Sequence, residues 1–114
     1  MTKVLCSGGL SVIPRPDTSN QVTASIDDSF VLSCIATGSN EERPKALQWR
    51  TPNNQLIQAD SNQRVYTVLN GDTLRLYFDK LAPSDSGAYT CVGIEAGVSR
   101  EISVSLILQS KLNL

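Results

Sequence analysis

Along this chain, apolar and polar residues alternate in short runs with the period of strands. No segment of helical length carries an apolar stripe at i, i+3, i+4, i+7. The pattern predicts short strands at 10–14, 21–24, 29–36, 46–50, 55–59, 64–68, 73–78, 88–94 and 99–108. Between them stand turn residues: Asp27-Asp28, Pro52-Asn53-Asn54, Asn70-Gly71-Asp72 and the short turn 95–98. Residues 38–44 form a polar, charged loop, and 82–87 a tight corner with room for one helical turn. Pro14 and Pro16 break the first strand. A proline there suits an edge strand, where one backbone donor can be missing.

Seven to nine short strands with turns every 8–12 residues predict an all-β sandwich of two antiparallel sheets packed face to face. One face of each strand must be buried, so parity assigns the core. The inward sets are Phe30, Leu32, Cys34 and Ala36; Leu47 and Trp49; Leu74 and Leu76, with Leu81 below; Tyr89, Cys91 and Gly93; and Ile102, Val104 and Leu106. Cys34 and Cys91 thus fall on inward positions of strands that can sit in opposite sheets. A bridge between them would close a loop of about 58 residues and remove roughly 4 kcal/mol of unfolded-state entropy.

Composition narrows the function classes. The 114 residues are one domain's worth of chain with a single core. Ten basic and eleven acidic residues leave a net charge of −1, which lacks the electrostatic footprint of a nucleic-acid binder. The chain has no histidine, so the commonest general base and neutral metal ligand are missing, along with every His-activated nucleophile. Carboxylates are dispersed without calcium-site spacing, and no phosphate-cradling glycine loop occurs. The expectation is a non-enzyme with no cofactor, no metal and no small-molecule substrate. Asp60, Asp72 and Asp79 read as turn and surface residues, and Glu41-Glu42-Arg43 as a solvated loop tip. No Asn-x-Ser/Thr sequon is present, so the domain is expected to fold without glycan.

No stretch approaches the ~20 apolar residues of a membrane span. Residues 1–9 lack the apolar stretch of a signal peptide and read as a disordered or vector-derived segment. Residues 10–109 read as the single domain and 110–114 as a tail or linker. Three cysteines allow one pair and one left over, or no pair. Cys6 stands before the first convincing strand, as an exposed thiol or as half of an intermolecular disulfide.

The residues then become specific. Trp49 follows Cys34 by fifteen positions, and the run Asp85-Ser86-Gly87-Ala88-Tyr89-Thr90-Cys91 closes the series, with Leu81 four residues before Asp85. From about 10 to 108 the chain resembles an immunoglobulin-superfamily domain, marked by the Cys…Trp…Cys set and the tyrosine two residues before the second cysteine. The resemblance implies that Trp49 packs on a Cys34–Cys91 disulfide. It implies that the Tyr89 hydroxyl returns to backbone near Leu81–Pro83, that Gly87 permits the corner, and that Arg64 pairs with Asp85 to close one end. The Cys34–Cys91 interval resembles the intermediate or constant-like sets, the last strand lacks the Gly-x-Gly bulge of rearranged variable domains, and the proline-broken first strand resembles the I-set. Within it, Phe30-Val31-Leu32-Ser33-Cys34, Leu47-Gln48-Trp49 and Thr73-Leu74-Arg75-Leu76-Tyr77 resemble the first domain of the neural cell adhesion molecule and fasciclin II group.

The implied function is an extracellular protein-binding module of a cell-surface adhesion or receptor protein, whose partner is either another protein or a second copy of itself. Any membrane attachment would come from an anchor elsewhere in the full protein. Muscle-type intracellular spacer domains resemble the chain in its Asp85–Cys91 run, and a soluble immune recognition protein is a third reading. Parity gives the outward face of the Trp49 sheet as the candidate binding surface: Gln48, Arg50, Thr90, Val92, Ile94 and Glu101, with Ser103 and Ser105 beside them. Val92 and Ile94 are apolar on a face that folding does not require to be buried.

Overall fold

The computed structural model describes residues 9–39 and 41–110; Cys6 lies outside the described residues. Eight strands follow in order: β1 Gly9–Ile13, β2 Gln21–Ser25, β3 Phe30–Thr37, β4 Lys45–Arg50, β5 Val65–Asn70, β6 Thr73–Phe78, β7 Gly87–Glu95 and β8 Val98–Gln109. A single 3-10 turn, Pro83–Asp85, precedes β7. The strands form two four-stranded sheets in the orders β1-β3-β6-β5 and β2-β8-β7-β4. Pairing is antiparallel except between β2 and β8, which run parallel.

The prolines explain that exception. β1 pairs with β3 as far as Ile13, opposite Ser33. Pro14 and Pro16 have no N–H and cannot extend the ladder. The chain crosses to the other sheet through a turn in which the Asp17 side chain accepts the backbone N–H groups of Ser19 and Gln21, at 2.8 and 2.9 Å. β2 then lies along β8. One sequence segment therefore supplies an edge strand to each sheet.

The two inner faces form the core. Leu32, Cys34, Trp49, Leu76, Cys91 and Leu106 have no exposed surface; Leu74, Leu81, Tyr89 and Val104 are buried beside them. Each large apolar side chain removed from water contributes about 1.5–3 kcal/mol. Phe30, Leu47 and Ile102 also face inward but sit at the margin, half-buried. The Cys34–Cys91 disulfide joins β3 to β7 across the sheets. Trp49 on β4 stands opposite Cys91, and its indole N–H donates to the Leu74 carbonyl of the other sheet at 2.9 Å. That bond satisfies the one polar group the ring carries inward.

Several expectations need correction. Residues 55–59 are not a strand; only an isolated bridge joins Leu56 to Arg50. The reason lies in the backbone bonding. Ile57 N–H donates to Trp49 O at the edge of one sheet, and Thr67 N–H donates to Gln58 O at the edge of the other. A segment that spans the two edges cannot join either ladder. β1 begins at Gly9, paired with Thr37, so the domain reaches one residue into the segment read as disordered. β4 starts at Lys45 and carries an irregularity before Gln48, where Ala46 has a φ of +57°. Arg43 is not a free loop tip: it reaches Asp72 at 2.8 Å and donates to the Gly38 carbonyl at 3.0 Å.

Candidate functional site

At the corner before β7, burial and charge meet. The Asp85 carboxylate is buried and receives both guanidinium nitrogens of Arg64, at 2.7 and 2.9 Å, and the Ala82 N–H at 2.8 Å. Burial pushes the Asp85 pKa up. The Arg64 and Ala82 hydrogen bonds outweigh burial and hold it below the usual carboxylate value. Arg64 also donates to the Lys80 carbonyl at 2.7 Å. The Tyr89 hydroxyl donates to the Asp85 carbonyl at 2.6 Å, not to backbone at 81–83 as the resemblance implied. Burial, reinforced by the Asp85 charge, pushes the Tyr89 phenol up to about 12. Gly87 has a φ of +138°, and a Cβ there would stand 2.6 Å from Pro52 Cγ. Close approach, as well as turn geometry, requires glycine.

A recess of about 410 Å³ opens beside this corner, lined in part by Pro52, Ser84, Asp85 and Tyr89. Both Asp85 oxygens and the Tyr89 hydroxyl already have intramolecular partners, so the corner serves the fold. Among the described residues no group of three or more His, Cys, Asp or Glu side chains is placed to hold a metal ion.

The outward residues of the Trp49 sheet come together on one surface. Register aligns Gln48, Val92 and Glu101 in one row, and Arg50, Thr90 and Ser103 in the next. Thr90 and Ser103 share a hydrogen bond of 2.8 Å, and Arg50 donates to the Gln48 side chain at 3.0 Å. Ile94 is 46% exposed at the upper end, between Lys45 and Ser99. Ser105 continues the face downward beside Ala88 and Gln21. Ile107, exposed beside Thr23, extends it further and was not among the candidates. Parity along β8 carries the signal that finds it.

The outer face of the other sheet was not considered from the sequence, and it is the more apolar of the two. One row reads Ile13, Ser33, Arg75, Val68; another reads Val31, Tyr77, Tyr66. Ile13 and Val68 are exposed, and the Tyr66 and Tyr77 rings stack 5.2 Å apart at 7°. At the hairpin end of the Trp49 sheet, Glu95 is buried and accepts from Arg100 Nε at 2.9 Å.

Two sheets with a strand divided between them, one disulfide beside a buried tryptophan and a tyrosine at the corner define an immunoglobulin-type β-sandwich. An immunoglobulin-domain profile matches residues 14–93, and the chain belongs to the immunoglobulin-domain family. A mouse protein, leucine-rich repeat and immunoglobulin-like domain-containing nogo receptor-interacting protein 3, is 35% identical over 92 residues, 81% of this chain and 15% of its own length. The neuronal immunoglobulin domain-containing protein rig-3 of Caenorhabditis elegans is 27% identical over 84 residues, 68% of this chain and 17% of its own. The chain thus spans less than a fifth of these curated relatives. Among solved structures, titin domain M7 superposes with a TM-score of 0.65 at 23% identity, over 93% of this chain and 99% of that one. The titin M10–obscurin-like 1 immunoglobulin complex gives 0.64 at 18% identity, over 82% of this chain and 89% of that one. At such identities these likenesses show the fold alone.

Proposed function

We propose that the chain is an I-set immunoglobulin module of an extracellular adhesion or receptor protein, and that it binds protein through the outer face of the Trp49 sheet. One observation carries the reading: half-buried Val92 and exposed Ile94 stand among hydrogen-bonding side chains on the outer face of the β2-β8-β7-β4 sheet. Such a mixture of apolar and polar side chains suits reversible protein contact. The division of the first strand between sheets supports the I-set assignment. The Cys34–Cys91 disulfide supports an oxidising compartment and hence the cell surface. The names of the relatives, one receptor-interacting and one neuronal, agree with a neural adhesion or receptor setting. Affinity per domain is modest and is raised by multivalent display.

The test is clustering of beads coated with the chain, comparing wild type with Val92→Asp combined with Ile94→Asp. Clustering that the folded double variant abolishes is expected. Clustering unchanged by the variant removes the face from the site. Intact mass after alkylation of native protein from its own source tests the compartment: uptake of label by Cys34 and Cys91 contradicts the extracellular reading and favours an intracellular spacer.

A further inference from the structure

We propose that the outer face of the β1-β3-β6-β5 sheet docks onto the outer face of the Trp49 sheet of a second copy, with Arg75 of one copy facing Glu101 of the next. The proposal rests on the protein-binding reading of the Trp49 sheet for its receiving half and adds both the second surface and the identity of the occupant.

The docking half is built on Arg75. It sits at mid-strand in β6, half-buried, between Ser33 and Val68. The stacked Tyr66–Tyr77 pair lies on one side of it. Arg43, Arg50, Arg64 and Arg100 all spend their guanidinium groups on carboxylates, amides or carbonyls. Among the described residues, Arg75 and the exposed Arg15 have no such bond, and of the two only Arg75 is half-buried. No strand residue on its face carries an acidic side chain. Among the described strand residues of its face, this half-buried cation set among tyrosines, valines and isoleucines has no anion, and a partner that brings one would be favoured.

The receiving half supplies that anion in matching surroundings. Glu101 is exposed, lies beside Val92 in its row and has no ion pair among the described residues. Ile94 stands one row above. Two copies meeting through the same Arg75 face about a two-fold axis would bring cation toward cation. A head-to-tail contact pairs opposite charges and sets apolar rows against each other. Four strands ~4.8 Å apart and five or six residues of ~3.3 Å give each face roughly 300 Å² in plan, which places the contact in the small, weak class. Because the two surfaces differ, each copy keeps one of each free, and association is open-ended.

That asymmetry supplies the test, sedimentation of the full 114-residue chain across roughly 10 µM to 1 mM, the range of weak surface contacts. Wild type should gain mass progressively. Arg75→Glu alone and Glu101→Arg alone should each weaken association by roughly tenfold or more, since each sets like charges together. The two single variants mixed should restore association as open chains in which they alternate, because both pairs of unlike faces are then complementary. The double charge-swap variant should again form open chains. Thermal melts confirm that each variant is folded, and a variant that does not fold is replaced by Arg75→Ser or Glu101→Gln, each expected to weaken association. A wild type that stays monomeric overturns the proposal, as does association unaffected by Arg75→Glu or a mixture that stays dissociated. If Val92→Asp with Ile94→Asp abolishes association while Arg75→Glu leaves it intact, the Trp49 face stands and only this pairing falls.

Discussion

Asp85→Asn separates charge from shape at the corner. The carboxylate accepts two charge-assisted bonds from Arg64 and one from the Ala82 N–H. An amide oxygen can keep one or two of these, but its NH2 group must face a donor. Hydrogen bonds to charged groups contribute about 1.5–3 kcal/mol each. Removing one partner of a fully buried pair costs about 3–5 kcal/mol. Arg64 is 42% exposed, so water can resolvate it, and the loss falls nearer about 2–3 kcal/mol. For a domain of this size that is roughly 8–12 °C in Tm. The assay is thermal and urea unfolding followed by Trp49 fluorescence at neutral pH. A second readout comes from acid. The folded pKa of Asp85 lies below its ordinary 3.8. The unfolded chain therefore takes up the proton first, and this contribution is complete above about pH 4 and fades as pH falls through the folded value. Asp85→Asn should flatten that acid limb. A Tm within about 2 °C of wild type, or an unchanged acid limb, would refute the assignment of the pair as a stabilising element.

Three further outcomes are expected. Gly87→Ala should destabilise by about 2 kcal/mol or more in urea titration, because a Cβ meets Pro52 at 2.6 Å in a positive-φ conformation. Tyr89→Phe should cost about 1–2 kcal/mol in the same titration by leaving the Asp85 carbonyl without its 2.6 Å partner. Replacing Cys34 and Cys91 together by Ala should lower stability by about 4 kcal/mol or more relative to oxidised wild type, with reduced wild type falling in parallel, since a bridge spanning 57 positions is lost from the core.

Much of the fold was legible because β-sheet burial is a period-2 property of local sequence. Thr73–Phe78 alternates strictly, and its bounds and the inward Leu74 and Leu76 follow from that alternation; the same parity also buries Phe78, which the sequence reading left out. The Cys34, Trp49, Tyr89 and Cys91 positions were legible because each answers a packing need that few residue types meet. What parity cannot supply is contact across long separations. Residues 55–59 have strand-like composition, yet their backbone bonds go one to each sheet. Arg43 looked solvated because Asp72, its anchor, lies twenty-nine residues away. The Tyr89 hydroxyl found a carbonyl four residues upstream, a choice set by the 3-10 turn geometry. The apolar outer face with Arg75 was within reach of the same parity that placed Val92 and Ile94. Near-continuous apolar runs such as Val65–Leu69 hid it, because both faces of those strands look buried in sequence.

The central claim is that exposed sheet faces of this immunoglobulin module are protein-contact surfaces. Dilution of isotope-labelled chain, followed by backbone amide shifts, tests it directly. Concentration-dependent shifts centred on Val92, Ile94 and Glu101, with a second set around Arg75, are the predicted result. Shifts that are absent over the whole range, or confined to the 51–56 and 95–98 turns, would contradict it.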